Sequence, residues 1–329
     1  NRTLEQLGYS LLDSYRFYRA VQSQLIAESH QLYRLARHQG LLGSCVDEDD
    51  EHTPAASISM LYHTSMLLSL TDPFRLAEGE VSLLFDVLMQ HVARCRIIPG
   101  NSWTGSGEGL FLLELGSDRL PVPCNTLQPP VKASDPYLLD ATAVLSAVRE
   151  RLAKTPAKVR MQSPEAMVLR RLLPESQGVD KRSEQRHADS RWVNLLLGVS
   201  DIHQHLVRAA RKEPEPSASE SSAEPITCRV LDSSEKGIKL AWDGCGAGDA
   251  RVGDLLGIME QQGGRPSLTL AMIRSIRVYR EGGMEAGVQL MPGGLGPVTC
   301  HLTEQPDKVG VRALFMPANE AEQFTATLV

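Results

Sequence analysis

From Leu4 to about Leu42 apolar residues recur at helical spacing through LEQLGYSLLDSYRFYRAVQSQLIAESHQLYRLARHQGLL, with Gly40 near the end, which predicts one or two helices. CVDEDDEHTP breaks the pattern, and its acidic run, residues 47–51, reads as a solvated loop. Two further helices are expected in AASISMLYHTSMLLSLTD and GEVSLLFDVLMQHVARC. Between them stands DPFRLAEG, punctuated by Pro73 and Gly79. With the first stretch they suffice to close a small helical bundle. GEGLFLLELGSDRLPVPC predicts two strands around a Gly-Ser-Asp turn. DPYLLDATAVLSAVRERLAK and SPEAMVLRRLLPE read as helices, each with an Asp or Ser ahead of it as N-cap. Residues 1–175 are therefore expected to form a mainly helical module with one short β-hairpin, and they match no family pattern.

After about Gln177 the periodicity changes. RWVNLLLGV, ITCRVLD, IKLAWDG, RVGDLLGIM, LTLAMIRSIRVYR and EAGVQLM are six strand-like runs with Gly-rich bends between them, which predicts a small closed antiparallel barrel over residues 176–297. SDIHQHLVRAARK reads as a helix, and EPEPSASESSAEP is too polar to pack, so an excursion from the barrel is expected at about residues 200–225. PVTCHLTEQPDKVGVRALFMPANEAEQFTATLV reads as more β structure over residues 298–329. The fold class is α+β, helical module first and barrel second.

Composition narrows the function. The 329 residues are 42% hydrophobic and 22% charged, those of a soluble globular chain, and no apolar run approaches the ~20 residues of a membrane span, so no membrane insertion is expected. The chain opens at Asn1 and closes on strand-like FTATLV; both ends read as cuts in a longer polypeptide, and the lack of a leader carries little weight. A net charge of -6 argues against binding a nucleic-acid polymer, which needs a basic surface. Six scattered cysteines show no C-x-x-C pair or zinc spacing; reduced thiols, no metal site and a cytoplasmic location are the expectation. His203 and His205, two apart on a helix, do not face one site and read as surface residues. GCGAG and GGLG lack the strand, helix and Lys of a P-loop, and no nucleophile elbow or carboxylate dyad stands out. No enzyme and no cofactor are expected.

One constellation remains. Arg182 and Arg186 in RSEQR stand just before the first barrel strand; no other two arginines are four apart. Asp232, Ser234 and Gly237 in DSSEKG bridge the next two strands as D-x-S-x-x-G, a pattern found by chance in about one chain in ten of this size. In this order the two motifs resemble the signature of the PilZ domain family. The resemblance covers about residues 178–292. It implies a six-stranded barrel that binds the bacterial second messenger cyclic di-GMP, with Arg182 and Arg186 clamping the ligand and Lys181 a possible addition. Arginine's planar fork suits both phosphate oxygens and guanine O6 and N7. Asp232 can accept from the guanine N1–H/N2–H edge, Ser234 offers a hydroxyl, and Gly237 lets the backbone turn or approach closely.

Two departures qualify the resemblance: a long gap from Arg186 to Asp232, and RAARK with Arg208, Arg211 and Lys212 as a rival basic segment. Arg182 and Arg186 are preferred because a strand follows them directly. The expected function is a cyclic di-GMP receptor whose helical module addresses an unidentified protein partner, with motility, pili or exopolysaccharide the outputs the resemblance implies. The alternative is a degenerate barrel that binds only protein.

Overall fold

The computed structural model describes residues 2–45, 56–100, 107–127, 136–158, 163–173, 185–211, 225–243, 250–262, 265–291, 293–301, 310–318 and 327–329. The chain divides into two compact units, Asn1–Ser183 and Glu184–Val329. The polar tract of residues 212–224, the acidic run of residues 47–51 and both Lys181 and Arg182 lie outside the described residues.

In the first unit the long periodic stretch resolves into α1 (Arg2–Arg16) and α2 (Ser23–His38), broken at Tyr18, whose φ of 53° leaves helical space. α3 (Ile58–Ser69) starts on a Ser57 side-chain cap to the Met60 amide and is buried along most of its length, because α1, α2 and α4 (Glu80–His91) all pack on it. Tyr62 and His63 of α3 form a buried ring cluster with Tyr33 and His30; the Tyr33 and Tyr62 rings stack at 4.1 Å. His30 Nε2 lies 2.9 Å from the Arg119 carbonyl, which can only accept, so His30 Nδ1 is the acceptor for the Tyr62 hydroxyl at 2.6 Å.

More β structure is present here than a single hairpin. β1 (Arg96–Pro99), β2 (Leu110–Glu114), β3 (Val122–Pro123) and β4 (Pro136–Asp140) form an antiparallel sheet in the order β1-β4-β2-β3. The expected hairpin is the β2–β3 pair. PYLLD, read as the start of a helix, is instead a central strand, and the helix begins only at α5 (Thr142–Lys154), after Asp140 accepts from the Thr142 amide. Leu113, Leu139, Val144 and Val148 join this sheet and helix to the core of the bundle, and α6 (Pro164–Leu172), capped by Ser163, closes it.

In the second unit a short β5 (His187–Ala188) precedes β6 (Trp192–Leu197), and both lie against the same side of β7 (Ile226–Ser233). β8 (Gly237–Asp243), β9 (Leu255–Gln262), β10 (Arg265–Val278) and β11 (Gly283–Met291) complete the ring. Six strands close as β7-β6-β9-β10-β11-β8, with β8 returning to β7. The interior follows the strand period: Val193, Leu195, Cys228, Val230, Ile238, Leu240, Ile273, Ala286 and Val288 point inward.

The helix α7 (Gly198–Arg211) is not an excursion from the barrel. Its Ile202, with Val199 and Leu206 beside it, packs on Leu196, Leu255 and Leu270 on one side and on Leu314 and Met316 on the other. Its second face thus meets a three-stranded sheet of β12 (Gly296–Cys300), β13 (Val311–Met316) and β14 (Thr327–Leu328), the further β structure expected after the barrel. His203, expected at the surface, is buried and donates from Nε2 to the Val298 carbonyl at 3.1 Å.

Candidate functional site

The β7–β8 hairpin turns through Ser234, Glu235 and Lys236. Ser234 closes the turn twice, its amide and its hydroxyl reaching the Gly237 carbonyl at 2.8 and 3.2 Å. The Lys236 carbonyl accepts the Leu290 amide at 2.9 Å, tying the turn to β11. Gly237 does not have a positive φ, so left-handed freedom is not why it is needed. The reason is close approach: a Cβ there would lie 2.9 Å from the Val288 carbonyl oxygen. The register of β7 against β8 slips between Val230 and Asp232, and this bulge brings Asp232 opposite Lys239.

The segment ahead of β6 runs along this hairpin. His187 and Ala188 pair with Ser233 and Asp232, the Asp189 amide donates to the Leu231 carbonyl, and the Arg191 carbonyl accepts the Val230 amide. Asp189 fastens the segment. Its carboxylate accepts from the Arg191 amide at 3.1 Å and the Ser233 hydroxyl at 3.2 Å, and pairs with the Arg191 guanidinium at 2.9 Å. The amide bond, and the guanidinium with it, hold this carboxyl below its ordinary range. Arg191 also reaches Glu260 on β9 at 3.3 Å.

That fastening aims Arg186. Its guanidinium forms a charge-assisted hydrogen bond with Asp232, both side chains a little over a quarter exposed, at 27% and 29%. A Cβ on Gly237 would stand 3.7 Å from Arg186 Nη2 and 4.0 Å from Ser234 Oγ. Arg186, Asp232, Ser234 and Gly237 therefore share one surface of the barrel, while Arg182 and Lys181 fall outside the described residues. The rival arginines, Arg208 and Arg211, sit on the last turns of α7, whose main packing partners are β6, β9, β12 and β13. Asp189 and Arg191 were missed from the sequence. The signal for them was an Asp and an Arg just ahead of the strand-opening Trp192, too generic to single out.

A half-buried arginine over a carboxylate, beside a turn whose hydroxyl and carbonyl already satisfy each other, can exchange the internal pair for an anionic ligand that both donates and accepts. Among the described residues no cluster of His, Cys, Asp and Glu could hold a metal ion, and no helix is long and apolar enough to cross a membrane.

Comparison with known proteins bears on this surface. Residues 207–295 match the family model of the middle PilZ domain of the cyclic-di-GMP receptor FimW. This part of the chain is thus similar to a PilZ-type domain. The match contains Asp232, Ser234 and Gly237 and begins within α7, so β6 and Arg186 of the closed barrel precede it. Residues 1–100 match the model of the N-terminal domain of the same receptor, which corrects the expectation that this half resembles nothing known. The cyclic-di-GMP receptor FimW of Pseudomonas aeruginosa is 22% identical to this chain over 398 residues, an alignment that takes in 100% of this chain and 64% of that protein. The chain thus spans less than two thirds of the length of that relative.

Proposed function

We propose that this chain is a receptor for cyclic di-GMP that binds the nucleotide on the PilZ-type barrel without chemistry, and that Arg186, Asp232, Ser234 and Gly237 form the contact surface, with Arg182 and Lys181 completing it. The observation that carries the reading is the convergence of Arg186 with the D-x-S-x-x-G hairpin, two motifs separated by 45 intervening residues in sequence and joined by an ion pair in space. The match to a receptor named for this ligand supports it.

In the free state Arg186 occupies the Asp232 carboxylate. Ligand binding replaces that pair: the guanidinium turns to phosphate or to guanine O6 and N7, and Asp232 takes the guanine N1–H/N2–H edge. A chain of net charge -6 can hold a dianion this way because the attraction is local. The helical first unit and its unidentified protein partner form the output. Titration calorimetry tests the proposal: binding at micromolar or tighter affinity, about -8 kcal/mol or better, is expected, with GTP and cyclic AMP far weaker. Absence of heat and of competition at high micromolar cyclic di-GMP would leave the barrel as a protein-binding module only.

A further inference from the structure

At the ends of β7 and β8 away from their hairpin turn is a cavity of about 790 Å³, a size suited to a small-molecule group. Its lining includes Trp192, Arg229, Trp242, Asp243, Tyr279 and Glu285, none of them part of either motif. Trp192 is 67% exposed, among the most exposed large apolar side chains described, and packing does not explain it. Trp242 lines the same cavity, and its buried indole N–H has no hydrogen-bond partner among the described residues.

Strand register places one edge of this cavity, Trp192 and Arg229, beside the row that carries Asp232. Trp192 opposes Arg229, which opposes Ala241, which opposes Glu285; the neighbouring row runs Ala188, Asp232, Lys239, Gly287. On β7 the exposed Arg229 and the partly exposed Asp232 are three residues and one bulge apart, about 10 Å at the rise of a strand. The two rows are adjacent on the outside of the barrel.

The charges in the cavity are not equally free. Glu285 is held by Lys239 at 2.7 Å, and Asp201 faces the charge of Arg312. Arg229 and Asp243 make no ion pair with any described residue. An exposed indole face, a free carboxylate and a free guanidinium are what one guanine base needs: a stacking surface, an acceptor for N1–H and N2–H, and a donor to O6 and N7.

We propose that this cavity is a second guanine subsite, stacking the base on Trp192 and reading it with Asp243 and Arg229. The inference rests on the receptor reading above and adds to it: one guanine of cyclic di-GMP is taken at Asp232 and the other at Trp192, so the ligand lies across both rows.

Calorimetry on the full chain with Trp192→Ala, Trp192→Phe, Asp243→Asn and Asp232→Ala tests it, with the Trp192 indole N–H signal followed by nuclear magnetic resonance during the titration. Loss of one stacked base predicts cyclic di-GMP affinity about five- to a hundredfold lower in Trp192→Ala, and Trp192→Phe should stay close to wild type. Asp243→Asn should narrow the preference for cyclic di-GMP over cyclic di-AMP. The indole signal should move in the wild type. Wild-type affinity in Trp192→Ala and Asp243→Asn, with binding lost in Asp232→Ala, would overturn the subsite and leave the receptor reading standing. A wild-type chain that does not bind cyclic di-GMP overturns both.

Discussion

At the scale of single residues, the Arg186–Asp232 pair sets an energetic condition on binding, since any ligand must compete with an internal contact already formed at a surface only a quarter exposed. Arg186→Ala and Asp232→Ala should each cost a charge-assisted contact of roughly 1.5 to 3 kcal/mol, at least about tenfold in cyclic di-GMP affinity. Each single change also leaves its partner unpaired, so the two effects should be less than additive, and a double-mutant cycle by calorimetry measures that coupling. Arg208→Ala and Arg211→Ala should be nearly silent; the reverse ranking would move the arginine contact to α7. Gly237→Ala is expected to fail for a different reason. Its new Cβ meets a backbone oxygen, Val288 O, which cannot swing aside, so strand β11 must shift. A stability loss of about 1 to 3 kcal/mol in urea unfolding is expected, with weaker ligand binding alongside.

His63 offers a residue-scale test in the other unit. Burial lowers its pKa from 6.5 to about 4, and its Nε2 has no partner among the described residues. The folded form therefore disfavours the proton that the unfolded chain accepts. Stability is fully present above pH about 6.5 and declines as pH falls toward 4, by about 3 kcal/mol over that window. Buried His30, also lowered by desolvation, acts in the same direction. Urea unfolding at pH 7.5 and at pH 5 should show about 2 kcal/mol of this loss in the wild type and a smaller one in His63→Leu; equal losses would mean that His63 titrates normally in the fold.

At the scale of elements, the barrel was legible and the first sheet was not. The six strands announce themselves because their inward positions alternate with polar ones, as in ITCRVL and IKLAWD, and Gly-rich bends mark their ends. PYLLD carries no alternation. Tyr137, Leu138 and Leu139 are consecutive apolar residues of a central strand covered by the bundle, and a short apolar run next to a helix cannot be told from its first turn by periodicity. Pro136 deepened the confusion, since proline is at home both in a helix's first turn and at the start of a strand. The helix α7 was legible as a helix but not as a packed one, because its apolar face fits a sheet formed a hundred residues later. The site was half legible: two motifs could be quoted, whereas the fastening by Asp189 and Arg191 depends on β5 lying beside β7, a pairing no local pattern encodes. Removing it gives an element-scale prediction. Arg191→Ala should release the segment carrying Arg186, raising amide exchange at residues 187–189 and weakening cyclic di-GMP binding severalfold, while the melting temperature changes little because the barrel ring remains closed. Unchanged exchange would show that the backbone pairing alone holds the segment.

At the scale of the whole molecule the question is whether the barrel reports to the first unit. The division of the chain falls at Ser183 and Glu184, between the two arginines of the motif in sequence. Signalling to the first unit requires that the ligand favour one state of that unit over another, since a ligand shifts an equilibrium only by its differential affinity for the two states. A protein partner that contacts both would feel the nucleotide as a change in its own affinity, and by reciprocity would change the nucleotide's affinity by the same factor. Hydrogen exchange with and without cyclic di-GMP reads this directly. Protection is expected to rise at residues 185–191, at DSSEKG and also in helices of the first unit. If it rises only in the barrel and its lead-in segment, the nucleotide is bound without signalling across the division, and the coupling fails while the receptor reading stands. Arg182→Ala separates the two roles further: it should abolish the distant protection more completely than it lowers affinity, since Arg186 and Asp232 still hold the ligand to the barrel.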